Sequence, residues 1–410
     1  MTSLQTISKY LSRKVTLVAV FALAGCTLSG NPETVQPVPA SNASVTADPA
    51  VKSLQQPSVQ TRVINIGLLL PLSGTGATAA IARGMQQAAE LALFDGGGST
   101  VQLIVKDDLG TVEGAVAAAG EVISEGAELI VGPLFANSVR AVAPVARRAN
   151  ISVVAFSNDP QAAGNGVYLV SFLVQQDIDR IVAYCVSQGR KRFAALVADD
   201  AYGQSMGALF RQAVSAHGGS IKAFEIYPIQ GGNALLEPAR KLVEGIKRAD
   251  EDGEPVEAVF VPGGADPAAN LGPLLVYAGL DTSRSKLIGT GAWDQAQLGR
   301  EVAFVGGWFA APEPRTWQEF SEKFGKTYGS APPRIATLAY DAISIVLQLS
   351  SLPAGQRYTA QALGRTHGFQ GVDGAIRLKA DGTAQRQLAI LEVQRIGVTI
   401  AEHAPIPFER

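Results

Sequence analysis

Between residues 63 and 157 short apolar runs alternate with longer stretches of helical period, and this alternation restricts the fold more than any other feature of the chain. The apolar runs cover residues 63–70, 101–106, 129–131 and 153–156, and the helical stretches cover 77–94, 112–124 and 138–149. Each apolar run stops at loop residues: Leu72-Ser73-Gly74-Thr75-Gly76, Asp107-Asp108, Gly132-Pro133 and Ser157-Asn158-Asp159-Pro160. Unbroken Val/Ile/Leu strands separated by helices of about a dozen residues form a parallel sheet covered on both faces. Ligands of such sheets collect where the strands end, so these loops are the expected seat of function.

The alternation restarts after residue 170. Helices are expected over 178–187, 204–217, 235–248 and 267–278, and strands over 193–198, 220–227, 258–261 and 286–288. A strand over 303–307 and helices over 317–328 and 335–349 follow. The tail reads as a β-hairpin of 375–378 with 388–394, joined through Asp381-Gly382. At 410 residues the chain is long for one compact domain and suits two lobes with extra segments.

Lys9, Arg13 and Lys14 precede an apolar stretch, residues 15–23, too short to span a bilayer but long enough for a signal-peptide core. It ends in Leu23-Ala24-Gly25-Cys26, which resembles the bacterial lipoprotein processing box and implies lipidation of Cys26 and a leader over residues 1–25. Each buried acyl methylene contributes ~0.8 kcal/mol, so two or three chains hold a protein on a membrane. Residues 26–61, rich in Pro, Ser, Asn, Thr, Val and Ala without a sustained period, read as a disordered tether. Cys185, the other thiol, falls in a helical apolar pattern and reads as a core residue. With 34 Lys and Arg against 36 Asp and Glu, no basic surface calls for a nucleic-acid partner. The three His are far apart, so neither a metal site nor a cofactor is expected.

Six short motifs, in this order and spacing, resemble the type I periplasmic binding proteins, the family of branched-chain amino-acid receptors of ABC transporters. They are residues 66–74, Val131-Gly132-Pro133, Ser157-Asn158-Asp159-Pro160, Asp200-Ala201-Tyr202-Gly203, Ala339-Tyr340-Asp341-Ala342 and Gly371-Val372-Asp373-Gly374. The resemblance implies an α/β fold of two doubly wound parallel-sheet lobes joined by a three-crossover hinge, the type I periplasmic binding protein fold. One lobe would hold residues 62–171 plus 312–373, the other 172–311 plus 374–410. Residues 369–378, with Asp381-Gly382 and Arg386, are similar to a narrower branch, the outer-membrane lipoprotein activators of penicillin-binding proteins.

Binding in this family lies between the lobes. Ser73 opens a helix and would donate to a ligand while nearby amides face an anion, with an N-terminal turn role as the alternative. By alignment Ala136 takes the place of the serine that meets a ligand carboxylate in amino-acid receptors, flanked by Phe135 and Asn137. Ser157 and Asn158 end the fourth strand, where the family presents polar groups, although turn chemistry also selects them. On the second lobe Asp200 and Tyr202 follow a strand, and Tyr202 matches the family's cleft tyrosine. The acidic residue that binds a ligand ammonium in amino-acid receptors aligns with Gly291, and Asp294 is the nearby substitute unless it caps a helix. Trp293 completes the candidate set. The carboxylate pairs Asp107-Asp108 and Asp199-Asp200 sit at strand ends where capping accounts for them, and no serine or histidine is arranged for nucleophilic chemistry, so an enzyme is not expected.

Two functions remain in view. The first is a lipid-tethered extracytoplasmic receptor capturing a small polar molecule, an amino acid or relative, for an ABC permease. The second is an outer-membrane lipoprotein that docks on and activates a penicillin-binding protein.

Overall fold

The computed structural model describes residues 63–410 apart from 98–99, 230–231, 296, 406–407 and 409–410, so the leader, the tether and Cys26 lie outside the described residues. The first lobe opens with β1 (Ile64–Leu70), α1 (Gly76–Asp95), β2 (Val101–Asp107), α2 (Val112–Ser124), β3 (Leu129–Val131), α3 (Ala136–Arg148), β4 (Ser152–Ala155) and β5 (Val167–Leu169). Its sheet runs β2-β1-β3-β4-β5, all parallel. β1 shows why: Ile66, Leu68 and Leu70 enter the core on one face and Leu69 the core on the other, all shielded from solvent. Burying each such side chain contributes about 2 kcal/mol, and only a strand covered on both sides collects it at every position.

The second lobe is built from α4 (Val174–Ser187), β6 (Arg192–Ala198), α5 (Ala201–Ala216), β7 (Ser220–Tyr227), α6 (Leu236–Glu251), β8 (Ala258–Phe260), α7 (Ala265–Tyr277), β9 (Lys286–Gly289) and β10 (Trp308–Ala311). The chain then returns to the first lobe with α8 (Pro314–Tyr328), α9 (Ala336–Leu349), α10 (Ala360–Leu363), β11 (Phe369–Gly371), β12 (Gly374–Leu378) and β13 (Ala384–Arg386). It ends in the second lobe with β14 (Ala389–Val393) and β15 (Val398–Glu402). That sheet runs β15-β14-β10-β9-β8-β6-β7, parallel except where β14 meets β10 and β15. Cys185 is buried in its core.

The structure corrects the sequence reading in the tail. Residues 303–307 form no strand; Val302–Phe304 is a short 3-10 turn, and β10 begins at Trp308 after Gly306-Gly307. The Asp381-Gly382 turn joins β12 to β13, not to 388–394, and Asp381 Oδ1 holds it by accepting the Thr383 amide at 2.8 Å. Ile376, Leu378 and Ala384 pack in the first lobe's core, so the last boundary falls after β13 and not at 373/374. The reason is apolar burial: β12 and β13, paired with each other and with β11, carry these side chains into the first lobe's core, and Leu388 is the first residue to join the other lobe. No helix among the described residues is long and apolar enough to cross a membrane.

Candidate ligand-binding cleft

Three segments pass between the lobes, residues 171–173, 312–313 and 387–388, as core membership shows. Val170 belongs to the first core and Ile178 to the second, Ala311 to the second and Phe320 to the first, Ala384 to the first and Leu388 to the second. Gln176, in the first turn of α4, ties the first and third crossings together. Its Oε1 accepts the Arg386 amide at 2.8 Å, and its Nε2 donates to the Ala384 carbonyl.

Two buried ion pairs stand beside these crossings. Asp341, fully buried on α9, accepts from Arg386 Nη1 at 2.9 Å and from the Val372 amide at 2.6 Å. A Cβ at residue 371 would lie 2.6 Å from Asp341 Oδ1, so glycine is required there. Asp373, also fully buried, accepts from both terminal nitrogens of Arg334 at 2.8 and 3.1 Å, a bidentate pairing. The Phe172 ring of the first crossing faces both guanidiniums, 5.1 Å from Arg334 and 4.9 Å from Arg386. The motifs around Asp341 and Asp373 therefore serve the hinge region. Asp373 and Arg386 from the activator-like tail are engaged in these pairs.

Against this frame lies a cavity of about 350 Å³. Phe172 and Pro312 contribute from two crossings, Arg334 from the first lobe, and Asp177, Gly291 and Asp294 from the second. This volume is in the range of small-molecule sites, about 300–1,000 Å³. Asp177, on the first turn of α4, accepts the Gly291 amide at 3.0 Å through Oδ2. Burial pushes its carboxyl up to about 7, with the Gly291 amide pulling back. Asp294 sits at the rim, its carboxyl also raised by burial, with Arg334 opposing and Asp373 adding to the rise. It closes a short 3-10 turn, Gly291–Trp293, and caps no helix N-terminus.

The remaining candidates divide. Asp200 and Tyr202 line a second cavity at the strand ends of the second lobe, where Asp200 also caps α5 by accepting the Gly203 amide at 2.6 Å. Ser73, Phe135, Asn137, Ser157 and Asn158 line neither cavity. The anion facing the Ser73 loop is the protein's own: Asp107 accepts the Leu72, Ser73 and Leu109 amides at 2.9, 3.0 and 2.9 Å. Burial pushes the Asp107 carboxyl up, but these bonds and the Ser73 hydroxyl overcome it and hold it below the usual range. Asn137 Oδ1 accepts from Arg140, which also pairs with Asp159 at 2.7 Å. Ser157 is buried and accepts the Asp159 amide at 3.1 Å, the turn role open to it in the sequence. Asn158 is exposed, and the Phe135 ring, 39% exposed, lies beside Gly110. Trp293 is no cleft residue: it is 1% exposed, donates Nε1 to the Val261 carbonyl at 3.1 Å and meets Phe304 edge-on at 5.0 Å.

A model of the periplasmic binding protein family matches residues 63–397. The chain belongs to this family. Among curated proteins no sequence matches it. Similar solved structures include an ABC transporter substrate-binding protein from Sphaerobacter thermophilus, 22% identical, covering 84% of this chain and 98% of that one with a TM-score of 0.64. A branched-chain amino acid transporter substrate-binding protein from Streptococcus pneumoniae in complex with isoleucine is 17% identical, covering 84% and 100% with a TM-score of 0.56. A solute-binding protein of an ABC transporter from Rhodopseudomonas palustris in complex with 3,4-dihydroxybenzoic acid is 22% identical, covering 84% and 99% with a TM-score of 0.53. At these identities the likeness is one of fold.

In this periplasmic binding protein the cleft residues that sequence reasoning missed are Phe172, Asp177 and Arg334. Asp177 reads in the sequence as one more acid in the first turn of an amphipathic helix, and Arg334 as a loop residue after two prolines. Two signals pointed at the place, the glycine at 291 and the nearby acid Asp294. A Cβ at residue 291 would stand 3.1 Å from Asp177 Oδ2, so the helix acid occupies the space that a longer residue at 291 would need.

Proposed function

We propose that the chain is an extracytoplasmic receptor that closes its lobes on a small molecule carrying an ammonium group, an amino acid or a close relative, for delivery to an ABC importer. The observation that carries this reading is the Asp177 carboxylate on the wall of a cavity whose lining comes from both lobes and two crossings. A carboxylate pushed up to about 7 by burial lacks a counter-charge, and a ligand ammonium supplies it. Asp294 at the rim adds a second negative group, while Arg334 is already engaged by Asp373. A ligand touching both sides favours the shut form by its greater affinity for that form.

The names of the similar structures support the class: substrate-binding proteins of ABC transporters, one holding isoleucine and one an aromatic acid. The acidic cleft wall favours the amine-bearing kind here. The leader and the box ending in Cys26 support a lipid-tethered form. Calorimetric titration of the purified protein with the common amino acids tests the reading. At least one should bind, and Asp177→Ala should abolish that binding; no binding by any of them, or binding indifferent to Asp177, overturns it.

A further inference from the structure

After β15 the chain meets a crossing and then the first lobe. Glu402, the last residue of β15, accepts from Arg180 of α4, and Arg180 Nε also donates to the Leu388 carbonyl of the third crossing at 3.0 Å. The next two residues hold Glu313, where the second crossing ends. Its Oε1 lies 3.0 Å from His403 Nδ1 and accepts the Ala404 amide at 3.1 Å. Burial pushes the Glu313 carboxyl up, but these bonds and the charges of His403 and Arg315 hold it below the usual range. Phe408 sits on the first lobe. The Arg377 guanidinium of β12 lies 4.5 Å from the centre of its ring, and a Cβ at Gly368 would stand 3.0 Å from its Cδ2. With this cover the ring is only 9% exposed.

The segment after Glu402 therefore has one anchor in the second lobe, one on a crossing and one on the first lobe. When lobes rotate, the crossings absorb the change in their backbone angles. Anchors outside the crossings do not bend with them. The six steps of chain from Glu402 to Phe408 reach at most about 20 Å when fully extended, so a rotation drawing β15 away from β12 has to unseat the ring or break the bonds to Glu313. We propose that this segment is a strap, and that Phe408 is a positioning residue that biases the lobes toward the arrangement in which Asp177 and Arg334 face one cavity. Phe408 itself does not line that cavity. The bias acts whatever the cleft holds, so it goes beyond the ligand reading and is tested without ligand.

Electron-spin distance measurements on the ligand-free full chain provide the test. Labels go on Glu113→Cys and Gln204→Cys, exposed positions in the first turns of α2 and α5, one on each lobe. Cys26→Ser confines labelling to these sites, since Cys185 is buried. The parent is compared with Phe408→Ser and with a chain lacking residues 403–410, whose strands and helices are all retained. Melting curves confirm that each is folded. Both variants should shift the distances upward, with the ratio of open to shut lobes rising about tenfold, the scale set by losing a largely buried aromatic contact. Distances in the shortened chain that superimpose on the parent's overturn the strap. A shift in the shortened chain that Phe408→Ser does not reproduce overturns the role of the ring.

Discussion

The Gly291 amide donates to Asp177 Oδ2 at 3.0 Å, and a Cβ carried by residue 291 would stand 3.1 Å from that same oxygen. The glycine thus does two things at once: it fixes the carboxylate with a hydrogen bond and leaves it room. Gly291→Ala keeps the amide but crowds the oxygen, which must give by a few tenths of an ångström. We expect ligand affinity to fall about three- to tenfold while stability changes by less than about 1 kcal/mol. Calorimetry and thermal melting measure both, and unchanged affinity would count against Asp177 as the ammonium partner.

Ligand binding should strengthen as pH rises. The ammonium needs the ionised form of Asp177, which in the empty protein is reached only near pH 7. Below that value affinity should fall by up to about tenfold per pH unit, and above it level off. Asp177→Asn should flatten the profile. In the empty protein the sign reverses. The folded-state pKa lies above the ordinary 3.8, so the folded form holds the proton longer and stability declines as pH climbs from about 4 to 7. Asp177→Asn should therefore raise stability at pH 8, where the carboxylate is ionised without a counter-charge, by on the order of 2 kcal/mol. Melting curves of both proteins across this range check the prediction.

Removing Arg334 leaves Asp373 buried without its bidentate partner. Arg334→Met should destabilise the protein by about 3 kcal/mol, because an uncompensated buried charge costs more than the pair contributes. Adding Asp373→Asn should recover part of the loss. Denaturant unfolding of the two single variants and the double variant gives the coupling, and additive losses would contradict the pairing.

Trp293 is buried in the second lobe's core, and replacing it should leave ligand binding intact. Trp293→Phe removes the bond to the Val261 carbonyl and some packing against Phe304, and should cost about 2 kcal/mol of stability. Ligand affinity should stay within about twofold of the parent, a change under about 0.5 kcal/mol. A selective loss of binding with stability intact would return this residue to the cleft.

Metabolic labelling with an alkyne fatty acid should tag the protein through Cys26. Cys26→Ala should lose the label and move the protein from the membrane fraction to the soluble one. A label retained in Cys26→Ala would place the lipid elsewhere or refute the tether.

Much of the fold is written locally. Strand β1 shows its two buried faces as an unbroken apolar run, and α1 shows its buried stripe through Ala82, Met85 and Ala89 at helical spacing, because each element must hide its own apolar face. The turn role of Ser157 and the capping role of Asp200 were equally legible, since Ser and Asp bond to amides two or three residues away. The failures came where partners are distant. The strand expected over 303–307 is a turn because Phe304 is claimed by Trp293, and Asp381-Gly382 turns toward β13 because Leu378 and Ala384 find the first lobe's core.

The sequence by itself determined two successive α/β units, the order of their strands and helices along the chain and the loops at the strand ends, because the periods of strand and helix are local consequences of burial. Only the tertiary structure decided what the cleft is made of. Phe172, Asp177, Gly291 and Arg334 are brought together by chain crossings, and the pKa of Asp177 depends on water excluded by residues more than a hundred positions away in the chain. No short-range pattern records that proximity, since desolvation belongs to the assembled cavity and not to any one segment that lines it.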